Sequence, residues 1–266
     1  MKIFVVSFNR ASDGAISKLV SKMKHENLLV DNYKKADYIL AVGDREETFD
    51  FVVDRFKENY KIIHLWAGEI SQGTHDEVYR HSMTLMSMLQ LCTTPTAKER
   101  VERLCKDVDK KPNAFVVGNV MLDNMDIDNI KVPSFEYDLV LYNPITLHDK
   151  KDVINDISFI NKLIEPKQCI WIAPNGDKFS ELIQKYTNHN SQPRPIFLGL
   201  LKNCRRFITN SSCQYFEAQF LLKPEQIISI GKRNKDRESK YSDMTIPNAS
   251  ENIMKVFRRL KDVKYK

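Results

Sequence analysis

Nine short apolar runs alternate with longer mixed segments along the whole chain, and this rhythm restricts the fold more than any other feature. The runs are KIFVVSF (2–8), YILAVG (38–43), KIIHL (61–65), LQLCTT (89–94) and AFVVG (114–118), then DLVLYN (138–143), CIWIA (169–173), RRFIT (205–209) and QIISIG (226–231). They are rich in β-branched residues and bounded by polar or turn-forming ones, so they read as buried strands. Helices are predicted from strand one to about Lys24, from Gly43 to about Asn59, from Thr74 to about Leu89 and from Thr96 to Lys106. Others are predicted over 150–164, 177–187 and 212–222, and from after Pro247 to about Asp262. Strands separated by helices of this length build parallel βαβ units. The polar, irregular stretch from Met121 to Tyr137 reads as a linker. The expected organisation is therefore two Rossmann-like lobes, 1–125 and 126–266, with a cleft between them and a last helix able to cross back. Ligands of such sheets sit outside the carboxyl ends of the strands.

The 266 residues are 42% hydrophobic, enough for a core in each half. No apolar run approaches the ~18–20 residues that span a bilayer. The start MKIFVVSFNR reads as a first strand and not as a signal peptide. Five cysteines, at 92, 105, 169, 204 and 213, contain no C-x-x-C pair. An odd, unpaired set argues against a disulfide framework or zinc knuckle and fits a reducing cytoplasm. Residues 231–266 hold 11 Lys/Arg and 5 Asp/Glu, so they carry the whole net charge of +6. That stretch is either a solvated terminal helix or an attractor of anionic partners, nucleic acid included, although no interleaved aromatic platform accompanies it.

Polar clusters follow the strands. Asn9-Arg10 follows the first, and Arg10 has the fork to hold a phosphate. GDREE (43–47) follows the second, where Asp44 is either a helix cap or a site acid. The densest is HLWAGEISQGTHDEVYRHSMT (64–84). His64 ends a strand and Glu69 lies in a glycine-flanked loop. Asp76, Arg80 and Thr84 then share one helix face, and Glu77 and His81 a neighbouring one. Thr74-x-x-Glu77 also fits a capping box. PNGD (174–177) is a turn signal, and Ser211-x-x-Gln214 fits a second capping box at a helix N-terminus suited to anions. GKRNKDR (231–237) is a cationic loop.

In this order the clusters resemble the UDP-N-acetylglucosamine 2-epimerase family, closest to its hydrolysing branch. The matching residues are Gly43-Asp44-Arg45-Glu46, His64 through Glu69, Asp76-Glu77, Arg80-His81-Ser82 and Thr84. They continue with Asn143-Pro144-Ile145-Thr146, Pro174-Asn175-Gly176-Asp177, Asn210-Ser211-Ser212, Glu217-Ala218 and Gly231-Lys232-Arg233 with Arg237. The resemblance implies an α/β, GT-B-like fold whose C-terminal lobe holds UDP. By that likeness Arg10, Arg45, Asn143, Asn175, Phe197, Ser211, Ser212, Glu217 and Arg233 form the UDP site. Ser211-Ser212 take phosphate and Glu217 takes the ribose. Asp44, His64, Glu69, Asp76, Glu77, Arg80 and His81 form the catalytic group, with Asp76 and Asp44 as candidate base and acid.

The reaction implied is loss of UDP from the anomeric carbon with removal of the C2 proton, then hydration to N-acetylmannosamine. It needs a base, an acid and cations for the diphosphate. The UDP-sugar is the expected small-molecule partner and a homodimer the expected assembly. No cofactor is required and no metal site is indicated. Several positions depart from the family: Trp66 where an acid is common, Asn143 where His is common, Leu85 for Lys, and a first lobe shortened between Arg10 and Gly43. These changes keep open a diverged nucleotide-sugar hydrolase, a glycosyltransferase-like enzyme and a non-catalytic nucleotide-sugar sensor.

Overall fold

A computed structural model of the chain describes residues 1–8, 10–72, 74–125, 127, 130–145, 147–174, 176, 178–234 and 246–262. The side chains of Arg10, Ala11, Asn124 and Asp262 stand outside that description. The described residues form two compact units. One comprises Met1–Ile70, Asp76–Asn124 and the helix Ala249–Asp262; the other comprises Ser71–His75 and the described residues from Met125 to Asn234.

In the first unit, β1 (Ile3–Val6), β2 (Tyr38–Val42), β3 (Lys61–Leu65), β4 (Leu89–Cys92) and β5 (Ala114–Val116) form one parallel sheet in sequential order. Helices α1 (Arg10–His25), α2 (Glu46–Lys57), α3 (Asp76–Met86) and α4 (Pro95–Asp107) connect them. Both faces of the sheet are covered, which is why β2 is apolar throughout. Leu40 and Val42 face Ile16, Leu19 and Met23 of α1, while Ile39 and Ala41 face Val52 of α2 and Met83 of α3. The C-terminal helix presents Ile253, Met254, Phe257 and Leu260 to the same core as α1. The two helices are also tied by ion pairs, Arg258 bridging Glu26 and Glu251 and Lys22 of α1 reaching Glu251 at 2.7 Å.

After α1 the chain does not pass directly to β2. Leu29 first bridges the outer edge of β1, Ile3 N–H donating to Leu28 O at 2.7 Å and Val30 N–H to Ile3 O at 3.1 Å. The chain then crosses to β2 on the other side. The direction of winding thus reverses at β1, and the crevice at such a switch point is where α/β sheets bind ligands.

In the second unit, β6 (Asp138–Leu141), β7 (Cys169–Trp171), β8 (Arg206–Thr209) and β9 (Ile227–Ser229) form a parallel sheet in the order β7-β6-β8-β9. Winding reverses between β6 and β8. Helix α5 (Lys150–Leu163) and the short α6 (Glu181–Gln184) cover one face, and α7 (Arg194–Asn203) covers the other. At the amino ends of the strands, Asp138 is fully buried and held by the forks of Arg205 and Arg206, four N–H···O contacts of 2.5–3.0 Å.

Three elements differ from the sequence reading. The helix predicted over 177–187 is regular only at α6. The segment 194–203, not read as an element, is a ten-residue helix. The helix predicted over 212–222 is broken: α8 (Cys213–Phe216) ends where Glu217 adopts φ −138°, ψ −55°, and a 3-10 turn, Ala218–Phe220, follows. The linker stretch also packs, with Met125, Ile127 and Val132 against the second core. The C-terminal helix Ala249–Asp262 is α9.

Candidate functional site

The carboxyl ends of the first sheet gather the cluster read from residues 43–84. Gly43 follows β2 at φ +86°, and its carbonyl turns onto the ring of His64 at the end of β3. His64 is 0% exposed. Its Nε2 lies 2.9 Å from Gly43 O and its Nδ1 lies 3.0 Å from Thr84 Oγ1. A carbonyl only accepts, so Nε2 carries the proton and the Thr84 hydroxyl donates to Nδ1. Burial lowers the pKa of His64 to about 4, although the Gly43 bond opposes the shift. The ring is therefore a neutral strut with both nitrogens used. With both nitrogens taken, the ring can orient its neighbours but has no open nitrogen with which to relay a proton.

Arg80, 2% exposed, is the centre of the cluster. It pairs with Asp44, meets Glu77 Oε2 at 2.6 Å and donates to Glu69 O at 3.2 Å. Burial alone would pull its pKa down; the Asp44 and Glu77 carboxylates outweigh that and push it up. Glu77 Oε1 in turn meets His81 Nε2 at 3.0 Å. Asp44 therefore pairs with Arg80, and Arg45 occupies the N-cap of α2 without a side-chain cap bond. Among the described residues the Thr74–Glu77 capping box is also not made: Glu77 turns to Arg80 and His81, and Thr74 Oγ1 meets Ser71 Oγ at 3.3 Å. Asp76 opens α3, where its charge complements the helix dipole.

Glu69 differs from the other acids. It is 2% exposed, and neither carboxylate oxygen has a hydrogen-bond partner. Its loop is pressed onto α4: a Cβ on Gly68, at φ +76°, would lie 2.2 Å from Ala97 O. Ser7 Oγ, Trp66 Nε1 and Thr93 Oγ1, which follow β1, β3 and β4, are likewise buried without partners. Trp66 holds φ +68°, a left-handed conformation that is strained for a large side chain. Buried polar groups are ordinarily bonded, so this row of open donors and acceptors marks a place prepared for something polar.

The second sheet has its own carboxyl-end cluster at the β6/β8 switch point. Asn210 spans it: Asn143 N–H donates to Asn210 Oδ1 at 2.9 Å and Asn210 Nδ2 donates to Asn143 O at 2.6 Å. Asn234, after β9, locks on by donating to Asn210 O at 2.8 Å. Thr209 Oγ1 and Ser211 Oγ hold the turn, accepting from Ser211 N–H at 2.9 Å and from Cys213 N–H at 3.3 Å. The second half of the Ser211–Gln214 capping box does not form, because Gln214 Oε1 accepts from Ser229. Ser212 directly precedes α8 without a side-chain cap bond. Arg233 is half-buried, and its carbonyl accepts from Gln72 N–H at 3.1 Å. Phe197, on α7, packs edge-on against Phe207.

Glu217 is 4% exposed and pairs through Oε1 with Arg194. Burial raises its pKa, and Arg194 pulls it part of the way back. Arg194 is the residue that sequence reasoning missed, lying 23 positions from its partner. Arg10 begins α1, but its side chain is outside the described set, as are Asn175, Asp177, Thr146 and Gly73. Among the described residues no group of three or more His, Cys, Asp or Glu is placed to hold a metal ion, and no helix is long and apolar enough to cross a membrane.

Two parallel sheets of Rossmann type, each with a polar cluster at the carboxyl ends of its strands, define an α/β chain of the GT-B-like class. The chain belongs to the UDP-N-acetylglucosamine 2-epimerase family, whose sequence model matches residues 4–266. It is 26% identical over 226 residues to a GDP/UDP-N,N'-diacetylbacillosamine 2-epimerase (hydrolyzing) of Campylobacter jejuni, covering 76% of this chain and 58% of that protein. It is 28% identical over 225 residues to a UDP-N,N'-diacetylbacillosamine 2-epimerase (hydrolyzing) of Legionella pneumophila, with the same two coverages. The chain thus spans 58% of the length of each of these relatives. The fold is shared with the UDP-GlcNAc 2-epimerase of Neisseria meningitidis solved bound to UDP-GlcNAc. The TM-score is 0.68 at 14% identity, over 97% of this chain and 100% of that one.

Proposed function

We propose that the chain is a hydrolysing UDP-sugar 2-epimerase acting on a UDP-2-acetamido sugar, most simply UDP-N-acetylglucosamine. The observation that carries this reading is Glu69, a buried carboxylate with both oxygens open beside the Asp44–Arg80–Glu77 network, in a chain of this family. In the reaction a base takes the C2 proton and the C1–O bond breaks, its electron pair leaving with UDP. Water then adds to the glycal, hydroxyl at C1 and a proton at C2 on the opposite face. Glu69 lies within electrostatic reach of Arg80 but spends neither oxygen on a hydrogen bond, which leaves the carboxylate open to a substrate. Asp44 and Asp76 are the further acid–base candidates, and Arg80, Glu77, His81 and His64 position them. In the second unit Ser211, Ser212, Arg233 and Asn143 hold the diphosphate, Glu217 the ribose and Phe197 the base side. Arg10, Arg45 and Asn175 complete the UDP group by family likeness.

Two named relatives act on N,N'-diacetylbacillosamine derivatives, which makes a 2,4-diacetamido sugar the second substrate to try. Five free, buried cysteines support a reducing, cytoplasmic setting, and a homodimer is the working assembly. The test is to incubate the protein with each UDP-sugar and follow UDP and free sugar by NMR. UDP together with the 2-epimeric sugar supports the proposal. UDP with unchanged sugar configuration indicates a hydrolase, the reading that Trp66 and Asn143 favour. Binding without turnover indicates a sensor.

A further inference from the structure

The buried pair in the second unit has a feature that its place in a nucleotide site does not by itself require. Arg194 is the first residue of α7, and it stands between Pro193 and Pro195. Each proline ring fixes its own φ near −65°, and the residue before a proline loses freedom as well, so the backbone under Arg194 is stiff on both sides. Its guanidinium meets one oxygen of Glu217, Oε1. The described contacts of the carboxylate fall on Oε1 and none on Oε2. The pair is well screened from water, with side-chain exposures of 10% for Arg194 and 5% for Glu217. Glu217 also stands where α8 breaks, at φ −138°, ψ −55°, so neither a helical backbone nor a cap bond fixes its side chain. What fixes it is Arg194.

We infer that Arg194 is a positioning residue for nucleotide recognition: it pins one oxygen of Glu217 so that the other is presented to a ribose hydroxyl. The inference rests on the UDP-site reading above. A planar guanidinium on a stiff backbone sets the plane of the carboxylate as well as its place, which a flexible ammonium does less well. Its removal leaves a buried carboxyl without a cation. Burial then works unopposed to neutralise the group, and its rotamer is no longer set. The Arg194–Glu217 pair is the described link from Arg194 to the sugar ring of the nucleotide, so its loss should be felt chiefly by ligands that carry ribose hydroxyls.

The experiment is calorimetric binding of UDP and of 2′,3′-dideoxy-UDP to the full chain, wild type and Arg194→Met, with Arg194→Lys as the conservative variant. A hydrogen bond from a ribose hydroxyl to a charged acceptor gives wild type an expected preference for UDP of roughly 10–100-fold. Arg194→Met should bring that preference to within about threefold while the dideoxy affinity stays as in wild type; Arg194→Lys should restore most of it. Arg194→Gln, which keeps an N–H donor without the charge, takes the place of Arg194→Met should the latter not fold. Full preference in Arg194→Met or Arg194→Gln overturns the inference. An equal loss for both ligands also overturns it, since Arg194 would then touch the shared diphosphate or base. A wild type that binds both ligands equally removes the role of Glu217 and this inference with it. A wild type that binds neither overturns the UDP-site reading itself.

Discussion

Protonating His64 means charging a ring that is sealed in the core between Gly43 and Thr84, and the cost follows from its displaced pKa. The ring titrates at about 4 in the folded chain, against an ordinary value of 6.5. The folded value is the lower one, so the unfolded chain binds more protons between the two and stability rises with pH. The contribution is complete above the unfolded value and is lost as the pH falls from about 6.5 towards 4. Linkage gives a loss of about 2 kcal/mol between pH 7 and 5, and about 3 kcal/mol by pH 4. Carboxylates titrate over the same range, so the comparison must be with His64→Gln. That amide can donate to Gly43 O and accept from Thr84 without titrating. Urea unfolding of both proteins across this range isolates the His64 contribution as the difference between the two curves. The difference should change by about 2 kcal/mol between pH 7 and 5, in favour of His64→Gln as the solution becomes acid. Parallel curves, or a ring nitrogen NMR signal of His64 titrating near its ordinary value, would refute the neutral-strut reasoning.

Three further substitutions test the same lobe. Arg80→Met leaves Asp44 and Glu77 without their buried cation and should destabilise the protein by about 3–5 kcal/mol in denaturant titration; a loss below 1 kcal/mol would show the pairs to be dispensable. Gly68→Ala places a Cβ 2.2 Å from Ala97 O at a positive φ, so thermal unfolding should report a loss of about 2 kcal/mol or more, and an unchanged midpoint would contradict that packing. Glu69→Gln should lower turnover of a UDP-2-acetamido sugar by roughly 10²–10⁴-fold with UDP affinity unaltered; retained turnover would remove Glu69 from the chemistry.

Much of the fold was legible because the strands announce themselves. YILAV and KIIHL are apolar on both sides, as only strands covered on both faces are, and Gly43-Asp44 and His64 mark their carboxyl ends. The segment 194–203 was not, because Gly199 and the flanking prolines speak against a helix that packing of Leu198, Leu200 and Leu201 nonetheless stabilises. The break at Glu217 was hidden for the opposite reason: CQYFEAQFLL is periodic enough to continue, and a partner 23 residues upstream turns the acid aside. The same holds for site chemistry. Spacing placed Glu77 beside Arg80 and His81, since i,i+3 and i,i+4 neighbours are set by the helix itself. Asp44 reaching Arg80, or His64 losing both nitrogens to the core, depends on which strands lie side by side. Capping motifs misled because Thr74 and Glu77 took other local partners, Ser71 and Arg80, and Gln214 took a tertiary one, Ser229.

The central claim is that this chain removes and replaces the proton at C2 of a UDP-bound 2-acetamido sugar. Running the reaction on UDP-N-acetylglucosamine in deuterated water tests it most directly. The free sugar should emerge as N-acetylmannosamine carrying one deuterium at C2, with one UDP released per molecule. UDP released alongside N-acetylglucosamine that retains its C2 proton would contradict the account.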